Sequence, residues 1–492
     1  VPEGMRPRRL PGGITMLSLY DTVSRKKVPL APLRPGRVGI YTCGPTVYRF
    51  VHIGNLRTYL LTDLLLRAVR FAGLTPFSVQ NITDMGHMHQ DRLEQAEDKV
   101  IAAARAAGKT AREIAEFFTA AFFRDCRRMN FLPSDVSPRA SAHVPEMIAL
   151  AKTLEEKGVT YGEGGYLYFD VRKAQGYGQL SGAALGEGEA AGRTDSAIHR
   201  KKKRPEDFSL WLAAEPGREF RWESPWGLGW PGWHIECAAM AGKYLGPEFD
   251  IHVGGVDLRF PHHENSRAMA MTATGGRFAS LWVHASHLLV EGRKMSKSLR
   301  NEYTLDDLEA RGVRPIDFRY HCLTLHYRTP MNFTWEAQAA SARALARLKE
   351  AFASEGEAAG GAPWGGEAQE YRRRFREAIG DDLNAPRALA VVHEAARSGL
   401  SGEERRALAG EWDAVLGLGL LAEASGEAVP EEVRPEEAAP GEVGDLAMRR
   451  DRCRRERRFA EADVLRERIR AAGYDVIDVK DGPSTIVRGG IH

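Results

Sequence analysis

Apolar positions along the chain follow two rhythms, and the order in which they alternate predicts the fold. "RVGIYTCG" (37–44) is a short apolar run rich in β-formers that stops at Gly44-Pro45, the pattern of a buried strand. After a loop, "NLRTYLLTDLLLRAVRFAG" (55–73) carries one apolar face at helical spacing and ends on Gly73, which predicts a helix. "TPFSVQNIT" (75–83) predicts the next strand. Strand, helix, strand in that order is a βαβ unit; it calls for a parallel sheet with a site at the carboxyl ends of its strands. Residues 91–160 carry helical patterning throughout, and 174–206 is glycine-rich and then basic, as in an insertion or a mobile loop. "FDIHVGG" (249–255) and "SLWVHASHLLV" (280–290) predict strands that return to the sheet, and 331–425 is helical again. "YDVIDVKDGPSTIVRGG" predicts a closing hairpin that turns at Asp481-Gly482-Pro483. No internal repeat is visible, and the fold class is α/β.

Composition divides this picture into parts. A chain of 492 residues is too long for one ordinary domain. The net charge of +3 hides an uneven distribution: 426–445 is acidic and proline-rich, and "MRRDRCRRERRFAEADVLRERIRAAG" behind it is dense in arginine. That pairing suggests a polyanion-binding module on a tether, although a solvated helix with internal Glu–Arg pairs carries the same residues. Five scattered cysteines (Cys43, Cys126, Cys237, Cys322, Cys453) argue against a disulfide framework and for a reducing compartment, so a cytoplasmic location is expected. No apolar stretch reaches the roughly 18 residues of a membrane span, and no membrane partner is expected. The N-terminus has arginines without an apolar core behind them, which predicts a disordered extension rather than a secretory signal.

Two short motifs bring in chemistry. In "PTVYRFVHIGNLRTY" (45–59), His52, Gly54 and Asn55 lie between a strand and a helix start. A helix N-terminus offers free N–H groups and partial positive charge to phosphate, and Gly54 lets backbone approach a nucleotide. A capping histidine accounts for the same four residues. In "GRKMSKSLRN" (292–301), Lys294 and Lys297 stand three apart in a polar loop, where they can neutralise charge that builds on a leaving pyrophosphate.

Together and in this order, the two motifs resemble the HIGH and KMSKS signatures of class I aminoacyl-tRNA synthetases. "YTCGPTVYRFVHIGNLRTY", "NITD" (81–84), "SPWGLGWPGWHIECAAM" (224–240), "FDIHVGGVDLRFPHHEN" (249–265) and "KMSKSLRN" are similar, block by block, to the cysteinyl-tRNA synthetase family, over nearly everything from about Leu17 onward. The resemblance implies ATP-dependent joining of L-cysteine to its tRNA through a cysteinyl-adenylate, with Mg²⁺ accompanying ATP. It implies a Rossmann-like catalytic domain over 15–135 and 207–290, a connective insertion over 136–206, and a KMSKS loop and stem-contact region over 291–330. A helical tRNA-binding domain (331–425), the acidic linker (426–444) and an anticodon-binding α/β module (445–492) complete the expected order behind a disordered 1–14. Carried over by motif, His52, Asn55, Lys294 and Lys297 are catalytic. Gly54, Gly255 and Asp257 join them around ATP, and Cys43, Thr58, Thr83, Trp233 and His252 line the cysteine pocket. A monomer is the working expectation.

Cys43, Cys237 and His262 suit zinc, a borderline-soft ion. By themselves, with the two cysteines so far apart in the chain, they are more readily read as unrelated core positions, and it is the resemblance that implies a zinc site. Such a site makes chemical sense, because packing alone discriminates weakly between side chains of similar size, whereas zinc deprotonates and holds a thiol. The family pattern also has a glutamate four residues after the first histidine, where this chain has Ser266. On a helix Ser266 shares that face and Glu264 points away, so His263 and Glu264 are expected as neighbours and the zinc as three-liganded. The mycothiol cysteine ligases, a sister family, are similar here and end on an amino sugar instead of tRNA, although they lack the C-terminal module. An inactive RNA-binding paralogue is the remaining alternative.

Overall fold

The computed structural model describes residues 17–85, 99–182, 202–296, 299, 301–353 and 365–421. Towards the C-terminus it describes 446, 450, 453–454, 458–471, 474–477 and 485–488. The expected N-terminal extension, the acidic linker, the turn at Asp481-Gly482-Pro483 and Lys297 lie outside the described residues. The chain divides into two compact units, Val1–Leu421 and Ala422–His492.

The first unit opens with an antiparallel hairpin, β1 (Ser18–Asp21) and β2 (Lys26–Pro29). β3 (Arg37–Thr42) is followed by the helix Ile53–Phe71 and by β4 (Thr75–Gln80), which pairs with β3 in parallel. The predicted βαβ unit is therefore present. Three helices, Lys99–Ala107, Ala111–Arg128 and Val144–Glu156, lead to an antiparallel sheet of β5 (Thr160–Glu163), β6 (Tyr166–Phe169), β7 (Phe208–Ala213) and β8 (Gly229–Pro231). The boundary expected at residue 206 runs through this sheet, between β6 and β7. After the helix Trp233–Leu245 the chain re-enters the parallel sheet with β9 (Phe249–Gly255) and β10 (Ala279–Ala285), giving the strand order β10-β9-β3-β4. Every residue of β9 is buried, as a central strand covered on both faces requires. β3 leads outward to β4 on one side and β9 to β10 on the other, so the sheet has a topological switch point between β3 and β9, where α/β sheets hold their ligands.

The run 280–290, read above as one strand, is two. β10 ends at Ala285, and β11 (Leu288–Val290) joins β12 (Arg293–Lys294) and β13 (Met331–Phe333) in a separate sheet. Arg57, on the first helix, fixes this transfer: its guanidinium donates to the carbonyls of Ser286 (2.6 Å), His287, His326 and Thr329 (2.6 Å). Helices from Trp335 to Leu416 complete the unit and share its hydrophobic core. Arg319, fully buried, fastens them to the sheet side. It pairs with Asp63 (2.6 Å) and donates to the carbonyls of Met129 and Leu416. Among the described residues no helix is long and apolar enough to cross a membrane. The second unit contains the helix Phe459–Ala471 and the antiparallel pair β14 (Tyr474–Ile477) and β15 (Thr485–Arg488).

Candidate functional site

Cys43 is the first residue beyond β3, at the switch point. Gly44 follows because a Cβ there would collide with the Asn81 carbonyl, while its N–H donates to Asn81 Oδ1 at 2.8 Å. Cys237 comes from the second turn of the Trp233–Leu245 helix, and His262 and His263 from the irregular turn between β9 and the helix Glu264–Thr274. These segments converge. Cys43 Sγ is 3.6 Å from Cys237 Sγ, Cys237 Sγ is 3.3 Å from His262 Nε2, and Cys43 Sγ is 3.2 Å from His263 Nε2. Cys43, His262 and His263 each offer a ligand atom within 4.8 Å of the others. A tetrahedral zinc holds its sulfur and nitrogen ligands roughly 3.5 Å apart and its sulfurs about 3.8 Å apart. These three spacings lie within a few tenths of an ångström of that geometry, and the donor set suits zinc. Burial pushes the Cys43 thiol up, while the hydrogen bond from Cys43 and the neighbouring His262 hold Cys237 well below the ordinary thiol range. Cys237 is the readier thiolate.

Around these four lies a layer of buried imidazoles. His234 Nδ1 faces His262 Nδ1 at 3.3 Å, His263 Nδ1 faces His284 Nε2 at 2.8 Å, and His284 Nδ1 faces Thr22 Oγ1 at 2.7 Å. Burial lowers His252 and His263 well below the usual range and His284 to about 3, so all three rings are neutral. Ser266 and Glu264, the two oxygen candidates, point elsewhere. Ser266 Oγ donates to the His234 carbonyl at 3.0 Å, and Glu264 accepts from the Ser181 N–H at 2.7 Å. His263, expected only as a neighbour, stands against Cys43 instead.

The second part of the site is the start of the Ile53–Phe71 helix. His52 is its N-cap: the ring Nδ1 accepts from the Asn55 N–H at 3.3 Å, and the Asn55 side chain accepts from the His52 N–H at 3.2 Å. The capping role and the phosphate role are compatible, since the ring nitrogen in the cap is Nδ1 and Nε2 is left to donate. Burial, reinforced by Arg49, lowers His52 to about 4. A Cβ on Gly54 would strike Met295 of the lysine loop, so the two motifs touch through the missing side chain. The loop is anchored there by the Ile53 N–H to the Tyr303 carbonyl (2.8 Å) and by Asn301, which accepts from the Ser296 N–H at 2.9 Å. Lys294 is exposed on β12. Gly255 ends β9 with Asp257 and Thr58 packed where a side chain would sit.

The sequence of tRNA synthetases class I (C) catalytic domains matches residues 29–343, and a DALR domain matches 374–399. A cysteine–tRNA ligase of Thermus thermophilus is 41% identical over 487 residues, covering 95% of this chain and 98% of the relative. The chain belongs to the cysteinyl-tRNA synthetase family. Cysteine–tRNA ligases of Burkholderia lata (41% identical, 95% and 96% covered) and Deinococcus radiodurans (39%, 95% and 96%) match at similar length. The fold is also that of a Mycobacterium tuberculosis methionyl-tRNA synthetase solved with methionyl-adenylate, at a TM-score of 0.54, 14% identity, 77% of this chain and 89% of that one.

Of the pocket-wall candidates, Trp233, Thr83 and His252 border the Cys/His cluster. Trp233 stacks on His262 with ring centroids 4.4 Å apart, and it is only half-buried. Thr83 Oγ1 donates to Glu236 (3.2 Å) and receives Asn81 Nδ2 (3.0 Å). His252 is sandwiched by Trp282 at 4.3 Å, and neither of its ring nitrogens has a hydrogen-bond partner among the described residues. Thr58 lies one turn into the capped helix and donates to the Gly54 carbonyl. Sequence reasoning missed His263 as a contact of Cys43, and it missed His234, His284, Thr22 and Asn81. A signal was available: seven of the chain's 15 histidines (His52, His234, His252, His262, His263, His284 and His287) fall in the quoted stretches.

Proposed function

We propose that this chain attaches L-cysteine to its tRNA in two steps. The cysteine carboxylate attacks the α-phosphorus of ATP, pyrophosphate leaves, and cysteinyl-adenylate forms. A ribose hydroxyl at the tRNA end then attacks the activated carbonyl and releases AMP. The observation that carries this reading is the meeting of Cys43 and Cys237, far apart in sequence, at 3.6 Å beside a capped helix N-terminus. One half selects a thiol and the other receives a nucleotide.

Cys43, Cys237 and His262 would hold zinc, which when bound supplies a soft Lewis acid that favours a thiolate over a hydroxyl. The chain's own residues do the rest. Neutral His52, with Nδ1 committed to its cap, donates from Nε2 to a phosphate oxygen, and Asn55 keeps it in that tautomer. Gly54 lets Met295 of the lysine loop close on the helix start that receives the phosphates, and Gly255 lets the Asp257 carboxylate close on the end of β9, where it accepts from ribose hydroxyls. Lys294 and Lys297 stabilise the departing pyrophosphate, whose Mg²⁺ arrives with ATP. Trp233, Thr58, Thr83 and His252 enclose the cysteine side chain and exclude water.

Cysteine-dependent ATP–pyrophosphate exchange tests the first step, with serine as the control. Exchange with cysteine, near-zero exchange with serine, and charging of purified tRNA are expected. Exchange without charged tRNA, but with product on an amino sugar, would favour the sister ligases; no exchange in zinc-replete protein would leave only an RNA-binding role. Lys297→Ala should slow single-turnover activation more than it weakens cysteine binding. An unchanged rate would remove that lysine from the step.

A further inference from the structure

We propose that His263 supplies the metal ligand that Ser266 cannot, so that this chain holds its zinc by two thiolates and two imidazoles. The inference rests on the zinc reading above. The two oxygen candidates face other groups: Ser266 Oγ donates to the His234 carbonyl, and Glu264 accepts from the Ser181 N–H and faces Arg267 (3.8 Å), outside the group formed by Cys43, His262 and His263. His263 Nε2, by contrast, lies 3.2 Å from Cys43 Sγ, within hydrogen-bond reach of the thiol and a few tenths of an ångström short of the spacing of two ligands on one zinc.

The ring is also prepared for the role. A metal-binding imidazole needs one bare nitrogen, and a partner on the other nitrogen selects that tautomer. His263 Nδ1 lies 2.8 Å from His284 Nε2, and His284 Nδ1 lies 2.7 Å from Thr22 Oγ1. With a proton on each Nδ1, His263 donates to His284 and His284 to the Thr22 hydroxyl; this is the tautomer that leaves His263 Nε2 as a lone pair facing Cys43, and it is the one a metal would select. Thr22 itself is held by backbone hydrogen bonding to Trp282 (2.9 Å), so the N-terminal hairpin orients the relay. The ring plane is fixed by His252 (centroids 4.6 Å, edge-on) and by the glycine at 254, where a Cβ would occupy the imidazole's place. His263 is 0% exposed, so no bulk water competes for that nitrogen.

X-ray absorption at the zinc edge on the full chain, with metal content and chelator competition, tests this. We expect two sulfurs and two imidazoles in the wild type, with a third sulfur when cysteine is added. His263→Gln should lose one imidazole and weaken zinc binding by at least ~10–100-fold, the range seen even for disturbed outer partners. Ser266→Ala should change neither ligand count nor affinity. A zinc-loaded wild type with a single imidazole overturns the inference while leaving the zinc reading intact, and the wild-type spectrum decides this even where His263→Gln does not fold. Unchanged affinity and spectrum in a folded His263→Gln protein overturn it as well. Wild-type protein that takes up no zinc would instead overturn the zinc reading itself.

Discussion

His52 illustrates how one side chain serves structure and chemistry through its two nitrogens. Nδ1 caps the helix and Nε2 is left to donate, and this division holds only while the ring is neutral. Burial lowers its pKa to about 4. Between about pH 6.5 and pH 4 the unfolded chain therefore binds a proton that the folded chain refuses, so the stability that neutral His52 contributes is complete above 6.5 and falls as pH drops towards 4. Cysteine activation should show no His52-dependent loss between pH 8 and about 5. An NMR titration of the His52 ring with a midpoint near 6.5 would contradict this. His52→Ala should cost about 1 kcal/mol in a denaturant melt from the lost cap, beyond its effect on rate. Cys237 is the corresponding residue on the metal side. Cys237→Ser replaces the readier thiolate by a hydroxyl that ionises far less easily. Metal analysis should find zinc content strongly reduced and exchange lost, with ATP binding retained. Full zinc occupancy in that variant would remove Cys237 from the site.

At the scale of elements, what could be read in the sequence depended on whether the signal was local. The β3–helix–β4 unit was legible because its apolar periods change sharply at Gly44 and Gly73. The antiparallel sheet β5–β8 was not, because β6 and β7 are separated by a glycine-rich stretch and pair only in three dimensions. The division of 280–290 into two strands was hidden for a different reason: apolar residues continue across Ser286-His287, and the break is imposed by Arg57 from another element. The site divides the same way. Cys43, Cys237 and His262 came from the family resemblance, whereas His263's role depends on a relay through His284 and Thr22 that no spacing encodes. Arg57 itself can be tested. Burial lowers its pKa, and its four carbonyl partners offset the cost of holding that charge inside. Arg57→Met should lower stability by about 3–5 kcal/mol in a denaturant melt, since it strands those carbonyls. Arg57→Lys should recover only part, because one ammonium cannot reach across a fork of four acceptors. A loss below about 1 kcal/mol would mean that the strand transfer is fixed by packing alone.

At the scale of the molecule, the two units suggest a division of labour that can be measured. The Cys/His cluster, the capped helix and the lysine loop all lie in Val1–Leu421, and the hydrophobic core beneath them closes within that unit. The unit Ala422–His492 contains the chain's densest run of arginine. A protein ending at Leu421 should therefore keep cysteine-dependent pyrophosphate exchange within about twofold, because every described group proposed for activation remains. It should lose tRNA charging by at least ~10-fold in kcat/KM. Its charging should also depend less steeply on salt, because fewer arginine–phosphate contacts release fewer counterions. The salt slope is the decisive measurement: a unit that only stabilised the fold would lower exchange and charging together and leave the slope unchanged. Equal loss of both activities in the shortened chain would thus assign Ala422–His492 to folding, and loss of charging alone with a shallower slope would assign it to the polyanion.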